Sequence, residues 1–253
     1  MRHLFWLSDD EWARIEPWLP SGRRGAHRVD DRRVISGIIH MLKTGARWRD
    51  CPREYGPYTT IYNRFNRWSK QGVWEDVFYA LSGSSGVIAT TASIDSSHIK
   101  AHRSASGAKG GTSGQAIGRS RGGRTTKIHA ITDAAGKPLA FALTPGQAHD
   151  LTGAEILLKQ IPTPAKLLAD RAYDAARLRD WLTQRGCEPV IPPNPTRKNP
   201  HTYDPVAYRG RNVVERMFCR LKDFRRIATR YDKRADTFLA GIFIAAIIVW
   251  WIN

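Results

Sequence analysis

The sequence predicts an α/β protein: a mixed sheet flanked by helices, preceded by a small all-α domain of helix-turn-helix-like type. Three observations predict it. Residues 1–82 carry apolar side chains at helical spacing, SGSSG at 82–86 marks a shift in composition, and beyond it short β-branched runs alternate with helical patterns. At 253 residues and 42% hydrophobic, the chain is long enough for one or two domains with a core of their own. The expected domains are 1–82, helical and DNA-binding, and 87–253, built on the sheet.

The first helix begins at LSDDEWARIEPWLP, with Ser8 as N-cap and Glu11 at the capping-box position; Trp12, Ile15 and Leu19 follow at helical spacing. RVDDRRVISGIIHMLKTG reads as a helix stopped by Gly45. TTIYNRFNRWSKQGVWEDVFYAL continues the apolar period through Ile61, Phe65 and Trp68. Its polar side carries Tyr62, Arg64, Arg67 and Lys70, residue types suited to phosphate contact and groove insertion, which makes Arg64 and Arg67 candidate DNA contacts. The competing reading is that the aromatic residues fill a small core and the arginines solvate its outside.

Beyond the linker, ATTASIDSSHI (89–99), TTKIHAITD (125–133) and PLAFALTP (138–145) read as a three-strand meander, with AAGK (134–137) turning between the last two. The Gly/Ser-rich span 103–124 has four Lys/Arg after Arg103 and no acid, and is expected to be a mobile loop that tracks phosphates. Lys109 precedes its glycines instead of following them, which argues against a nucleotide-triphosphate cradle. Next come a helix at 149–161, a short buried strand at 165–170, a helix at 174–186 with Asp174 as N-cap, and a strand at 188–193. YRGRNVVERMFCRLKDFRR (208–226) reads as one basic helix. The apolar run Phe238–Ile252, 15 residues, falls short of the roughly 20 that cross a bilayer and is expected to be a core helix; no membrane partner is expected.

Lys and Arg number 40 against 23 Asp and Glu, a net charge of +17 that calls for a polyanionic partner, nucleic acid ahead of a membrane surface. Cys51, Cys187 and Cys219 lie far apart with no C-x-x-C pair, so neither a disulfide framework nor a zinc knuckle is implied, and thiols in a reducing cytoplasm are expected. The N-terminus shows no secretory apolar region.

Three carboxylates stand out. Asp95 follows the β-branched run ending at Ile94, and Asp170 ends KLLA; acids at such strand positions are costly unless neutralised. Side by side on neighbouring strands about 4.8 Å apart, they would share a cation. Oxygen-only ligands point to magnesium or manganese. At 100° per residue, Arg211, Lys222 and Arg226 share a polar stripe with Glu215, while Val213, Val214, Met217, Leu221 and Phe224 fill the opposite arc. Glu215 on this stripe suits a third metal ligand; an acid merely paired with arginines on a solvated face fits the spacing as well.

The layout resembles the ribonuclease-H-like fold of DDE transposases, in the bacterial insertion sequence four and five families. Their signature Y-x2-R-x3-E-x6-K is matched at Tyr208, Arg211, Glu215 and Lys222. SIDSSHIKAHR around Asp95 and LLADRAYDA around Asp170 resemble the two upstream catalytic blocks, and DDEWARIEPWLP with GARWRDCPREYG resembles the leading domain of the insertion sequence five type. The resemblance implies that Asp95, Asp170 and Glu215 are catalytic and bind two Mg²⁺ (or Mn²⁺) ions. It implies that Tyr208, Arg211 and Lys222 bind DNA, to which the shared stripe adds Arg226, and that a homodimer holds the two terminal inverted repeats, and acts on target DNA, in the bacterial cytoplasm at the nucleoid. Only 45 positions separate Asp170 from Glu215, too few for the large β-rich insertion of some relatives. Two rivals are carried: a metal-dependent nuclease of the same fold, and a non-catalytic DNA-binding repressor from a decayed element.

Overall fold

The computed structural model of the chain describes residues 3–21, 30–83, 89–107 and 114–252. In chain order the helices are α1 (Asp9–Ile15), α2 (Asp31–Thr44), α3 (Tyr58–Lys70), α4 (Val73–Ser82), α5 (Asp150–Leu157), α6 (Ala176–Thr183), α7 (Pro205–Tyr208), α8 (Asn212–Lys222), α9 (Arg225–Ala228) and α10 (Ala235–Ile247). The strands are β1 (Thr91–Ala101), β2 (Gly118–Ser120), β3 (Gly123–Asp133), β4 (Pro138–Pro145), β5 (Lys166–Leu168), β6 (Glu188–Val190) and β7 (Thr229–Arg230).

Two compact units form: Met1–Gly83 with Ala101–Gly111 and Leu221–Asn253, and Ser84–Lys100 with Thr112–Arg220. The division after Gly83 falls within the expected linker, of which 84–86 lie outside the described residues. The C-terminal segment differs from expectation, because it joins the N-terminal helices in one unit. The physical reason is core size. Four amphipathic helices bury little apolar area by themselves, and α10 supplies the missing apolar body.

In the helical unit α1 starts as its sequence dictates: Ser8 Oγ accepts from the Glu11 N–H at 3.2 Å while Glu11 Oε2 accepts from the Ser8 N–H at 2.6 Å. Gly45 ends α2 at φ 71°, and a Cβ there would meet Arg225 Cβ at 2.8 Å, so this glycine serves both the helix stop and the approach of α9. Helix α10 packs against α2, α3 and α4, with the Phe78 ring 5.0 Å from Phe243 and 5.2 Å from Trp251. A wider turn extends it to Ile252, giving 18 residues, long and apolar enough by length and composition to cross a membrane. This corrects the shorter run read from sequence; 67% of the span is buried inside the protein, as in a core helix.

The second unit holds the mixed sheet flanked by helices. Its strand order is β2-β3-β1-β5-β6, with β4 also on β3; β1 runs antiparallel to β3 and parallel to β5, and β5 is parallel to β6. The three-strand meander is present. The span 103–124 is more ordered than a mobile loop: Gly118–Ser120 pairs with 123–125 across the turn Arg121–Gly122, with Gly123 at φ 94°, while 108–113, including Lys109, lie outside the described residues. Leu157, Leu178 and Leu182 from the flanking helices share a buried core with Ala92, Ile94 and Leu167 of the sheet.

The register positions the acids. Ser93 of β1 pairs with Leu168 of β5, and two residues further along each chain stand Asp95 and Asp170. The basic stretch 208–226 is not one helix. It breaks into the end of α7, the tight turn Arg209–Arg211, α8 and α9, with Phe224 in extended conformation (φ −80°, ψ 107°) between the last two. Phe224 and Ile227 are buried, so the break is where the chain turns apolar side chains inward.

Candidate active site

Asp95 sits on β1 between an antiparallel and a parallel neighbour, after fully buried Ile94. Both its oxygens are engaged: Oδ1 accepts the Ser96 N–H at 2.7 Å, and Oδ2 accepts the Arg211 guanidinium at 2.9 Å. Burial pushes its carboxyl pKa upward and the Asp170 charge adds to this; the Ser96 N–H and Arg211 counteract without cancelling the rise. Asp170 follows β5, where its Oδ1 accepts the Ala172 N–H at 2.8 Å and caps the tight turn Arg171–Tyr173. Glu215 lies in the first turn of α8 and pairs with the same Arg211, one turn earlier. Gly210 lies against β5, where a Cβ would make an ordinary contact with Leu168 Cδ2 at 3.6 Å.

Arg211 is thus the junction of the site. Its side chain is 14% exposed and it donates to Asp95 and Glu215 together. Burial alone would lower its pKa, but the Asp95 carboxylate outweighs that and the net shift is upward, so the guanidinium is firmly charged. Among the described residues no three His, Cys, Asp or Glu side chains are gathered as a ready metal cage. What the fold assembles is Asp95 and Glu215 joined through Arg211, with the Asp170 charge acting on Asp95. The donors fit a hard divalent cation: they are carboxylate oxygens, and a carboxylate raised by burial, and further by the Asp170 charge, gains from added positive charge.

A polar cluster in the same unit had no counterpart in the sequence reading. Register places Ser96 opposite His129 and His98 opposite Lys127. Ser96 Oγ donates to Asp150 Oδ1 at 2.6 Å, and Lys127 Nζ donates to the same oxygen and to Ala148 O, both at 2.9 Å. Burial would raise the Asp150 pKa, but these hydrogen bonds prevail and lower it. His129 Nε2 meets Thr144 Oγ1 at 2.7 Å. Tyr173, buried at the turn that Asp170 caps, has its hydroxyl pushed well above the ordinary tyrosine range by burial first and then by Asp150, Asp95 and Asp170. The available signal was Lys127 and His129 alternating with Ile128 and Ala130, polar residues inside an otherwise buried strand.

The remaining expected site residues divide by exposure. Lys222, Arg67 and Tyr62 face outward, and the Arg211 guanidinium lies 5.8 Å from the Tyr208 ring centroid. Arg64 is corrected: it is 5% exposed, pairs with Asp31 and packs over Trp68, because the α3 face it occupies turns inward. Arg226 is corrected too. The helix break removes it from the Glu215 stripe, and it is 5% exposed, donating to Ala46 O and Asp232 at 3.1 Å each and lying over Trp48. Asp174 does not cap α6; its fully buried carboxylate pairs with Arg179 and Arg197. His102 and His149 accept backbone N–H groups of their own turns. Cys51 and Cys187 are buried free thiols and Cys219 is an exposed one.

Known proteins carry the same features. The family described as "Putative transposase of IS4/5 family" matches residues 7–78, and the family described as "Transposase DDE domain" matches residues 89–250. A "Putative transposase for insertion sequence element IS6501" from Brucella ovis is 37% identical over 127 residues, covering 50% of this chain and 98% of that protein. A "Putative transposase for insertion sequence element IS402" from Burkholderia cepacia is 36% identical over 137 residues, covering 50% of this chain and 63% of that protein. The solved piggyBac transposase synaptic complex with hairpin DNA is similar in fold, with a TM-score of 0.53 at 11% identity over 97% of this chain and 72% of that one. That likeness shows the ribonuclease-H-like sheet and nothing finer. The chain belongs to the DDE transposase family of the insertion sequence four and five type, enzymes that cleave and join DNA strands and use divalent metal.

Proposed function

We propose that this chain cleaves DNA at the terminal inverted repeats of an insertion sequence and transfers the freed strands into target DNA, with Asp95, Asp170 and Glu215 as the catalytic, metal-holding carboxylates. The observation that carries the reading is the convergence of Asp95 and Glu215, from a strand and a distant helix, on one guanidinium, with Asp170 acting on Asp95. Two Mg²⁺ (or Mn²⁺) ions held there would supply Lewis-acid activation of the attacking hydroxyl and stabilisation of the leaving oxygen. The Ser96 N–H fixes the Asp95 carboxylate, and the Ala172 N–H fixes Asp170, so two of the three ligands are oriented by backbone. Arg211 and Lys222 grip the scissile strand's phosphates, and Tyr208 positions its backbone. Outward-facing Arg67 contacts duplex phosphate from the helical unit, while Arg64 and Arg226 hold that unit together. Holding two ends calls for a homodimer on DNA, acting in the bacterial cytoplasm at the nucleoid.

The test is a cleavage and strand-transfer assay on the DNA flanking the gene, with Mg²⁺, with EDTA and with Glu215→Gln. Metal-dependent cuts followed by joining, lost in the variant while end binding persists, is the expected result. Cutting without joining would mean a nuclease, binding without cutting would mean a DNA-binding relic, and loss of binding in the variant would make Glu215 structural.

A further inference from the structure

We propose that Arg211 is the counter-ion a divalent metal displaces from Asp95, so that metal loading releases the guanidinium to grip DNA phosphate. The inference rests on the carboxylate reading above and adds an order of events to it. Asp95 Oδ1 is held by the Ser96 N–H, part of the strand itself, so the oxygen that changes partner is Oδ2, which Arg211 occupies at 2.9 Å. Glu215 is bound by the same side chain. One guanidinium therefore serves two carboxylates while the Asp170 charge also bears on Asp95, and the cluster retains excess negative charge. A dication entering on Oδ2 would face the guanidinium across a single oxygen, and like charges so close in a half-buried site repel strongly. The two cations thus occupy Asp95 in alternation.

Arg211 sits in the tight turn Arg209–Arg211 ahead of α8, after a glycine, and its guanidinium already lies 5.8 Å from the Tyr208 ring centroid, a contact it can keep when the carboxylates let go. Its planar fork matches a phosphate as well as a carboxylate. Before metal binds, the ion pairs hold Asp95 and Glu215 near each other; afterwards the freed guanidinium binds the phosphate that a DNA strand brings. Metal and DNA therefore bind cooperatively, through a residue that touches each carboxylate only in the metal-free state.

The experiment measures Mn²⁺ binding to the full chain without DNA, by electron paramagnetic resonance, for wild type, Arg211→Gln, Arg211→Lys and Asp95→Asn. Arg211→Gln is expected to bind Mn²⁺ at least about tenfold more tightly, which corresponds to about 1.4 kcal/mol. Arg211→Lys, a charge without the fork, is expected to fall between. Ca²⁺ is expected to strengthen end-DNA binding by wild type and to leave Arg211→Gln unchanged. Equal or weaker Mn²⁺ binding by both Arg211 variants, with Asp95-dependent binding intact in wild type, overturns the counter-ion role alone. Absence of Asp95-dependent Mn²⁺ binding in wild type overturns the carboxylate reading and this inference with it.

Discussion

Lys127 and Asp150 meet with side chains only 9% and 20% exposed, so their energetics depend on both partners being present. Replacing the lysine leaves a carboxylate with Ser96 Oγ alone for company, and breaking a buried pair in this way costs about 3–5 kcal/mol. Lys127→Met is therefore expected to lower the urea midpoint sharply, and the added Asp150→Leu change to restore part of the loss; an unshifted midpoint in the single variant would show that the pair contributes nothing. Their neighbour His129 gives the same cluster a pH dependence. Burial, opposed by Asp150 and reinforced by Lys127 and His98, pushes its pKa from 6.5 down to about 4. The unfolded chain then binds a proton that the native state refuses between those values, so stability rises with pH across the window and is lost as pH falls from about 6.5 toward 4. Over that window the shift is worth about 3 kcal/mol. Urea titrations at pH 7 and pH 4.5 are expected to show the loss in wild type and a smaller one in His129→Gln.

Among elements, α5 shows how a helix is seated by what it lacks. An alanine in place of Gly153 would gain up to about 1 kcal/mol in helix propensity, yet its Cβ would fall 2.1 Å from His129 Nδ1. Overpacking of this kind costs about 1–3 kcal/mol, so Gly153→Ala is expected to lower the melting temperature despite the better helix former, and a rise would mean that α5 shifts freely. No propensity scale carries that information, which marks the limit of what the sequence could tell. The strands around Asp95 and Asp170 were legible because β-branched runs bounded by turn residues have few other structures open to them. The buried arc Val213, Val214, Met217, Leu221 was legible from helical period alone. The break at Phe224 was not, because the period continues through it and only the pull of buried Phe224 and Ile227 ends α8. Arg64 and Arg226 were misread for a related reason: an arginine on a mostly polar arc looks solvated until Asp31 arrives from another helix, or Asp232 folds back from six residues further on. The Arg211 junction lay beyond sequence as well, since it needs the β1–β5 register and the turn before α8 at once.

At the scale of the whole molecule, a net charge of +17 sets how the chain meets DNA. Each phosphate neutralised by a cation releases counterions, so affinity falls with salt in proportion to the number of contacts; about 6–10 contacts would cost roughly 10³–10⁵ in affinity between 50 and 200 mM salt. Filter-binding titrations with end DNA are expected to show a slope of that size, and a flat response would remove nucleic acid as the partner. Exposure separates the cations expected to contribute to the slope from those that are not. Arg67 faces outward on α3, so Arg67→Ala is expected to weaken binding across sequences and to lower the slope by about one. Arg64, three residues earlier on the same helix, is buried against Asp31 and Trp68, so Arg64→Ala is expected to lower the melting temperature and leave the slope of the folded protein unchanged. If the two variants changed the slope alike, the ion pair with Asp31 would have to open on DNA, and the helical unit would present a different face to the duplex from the one it presents alone.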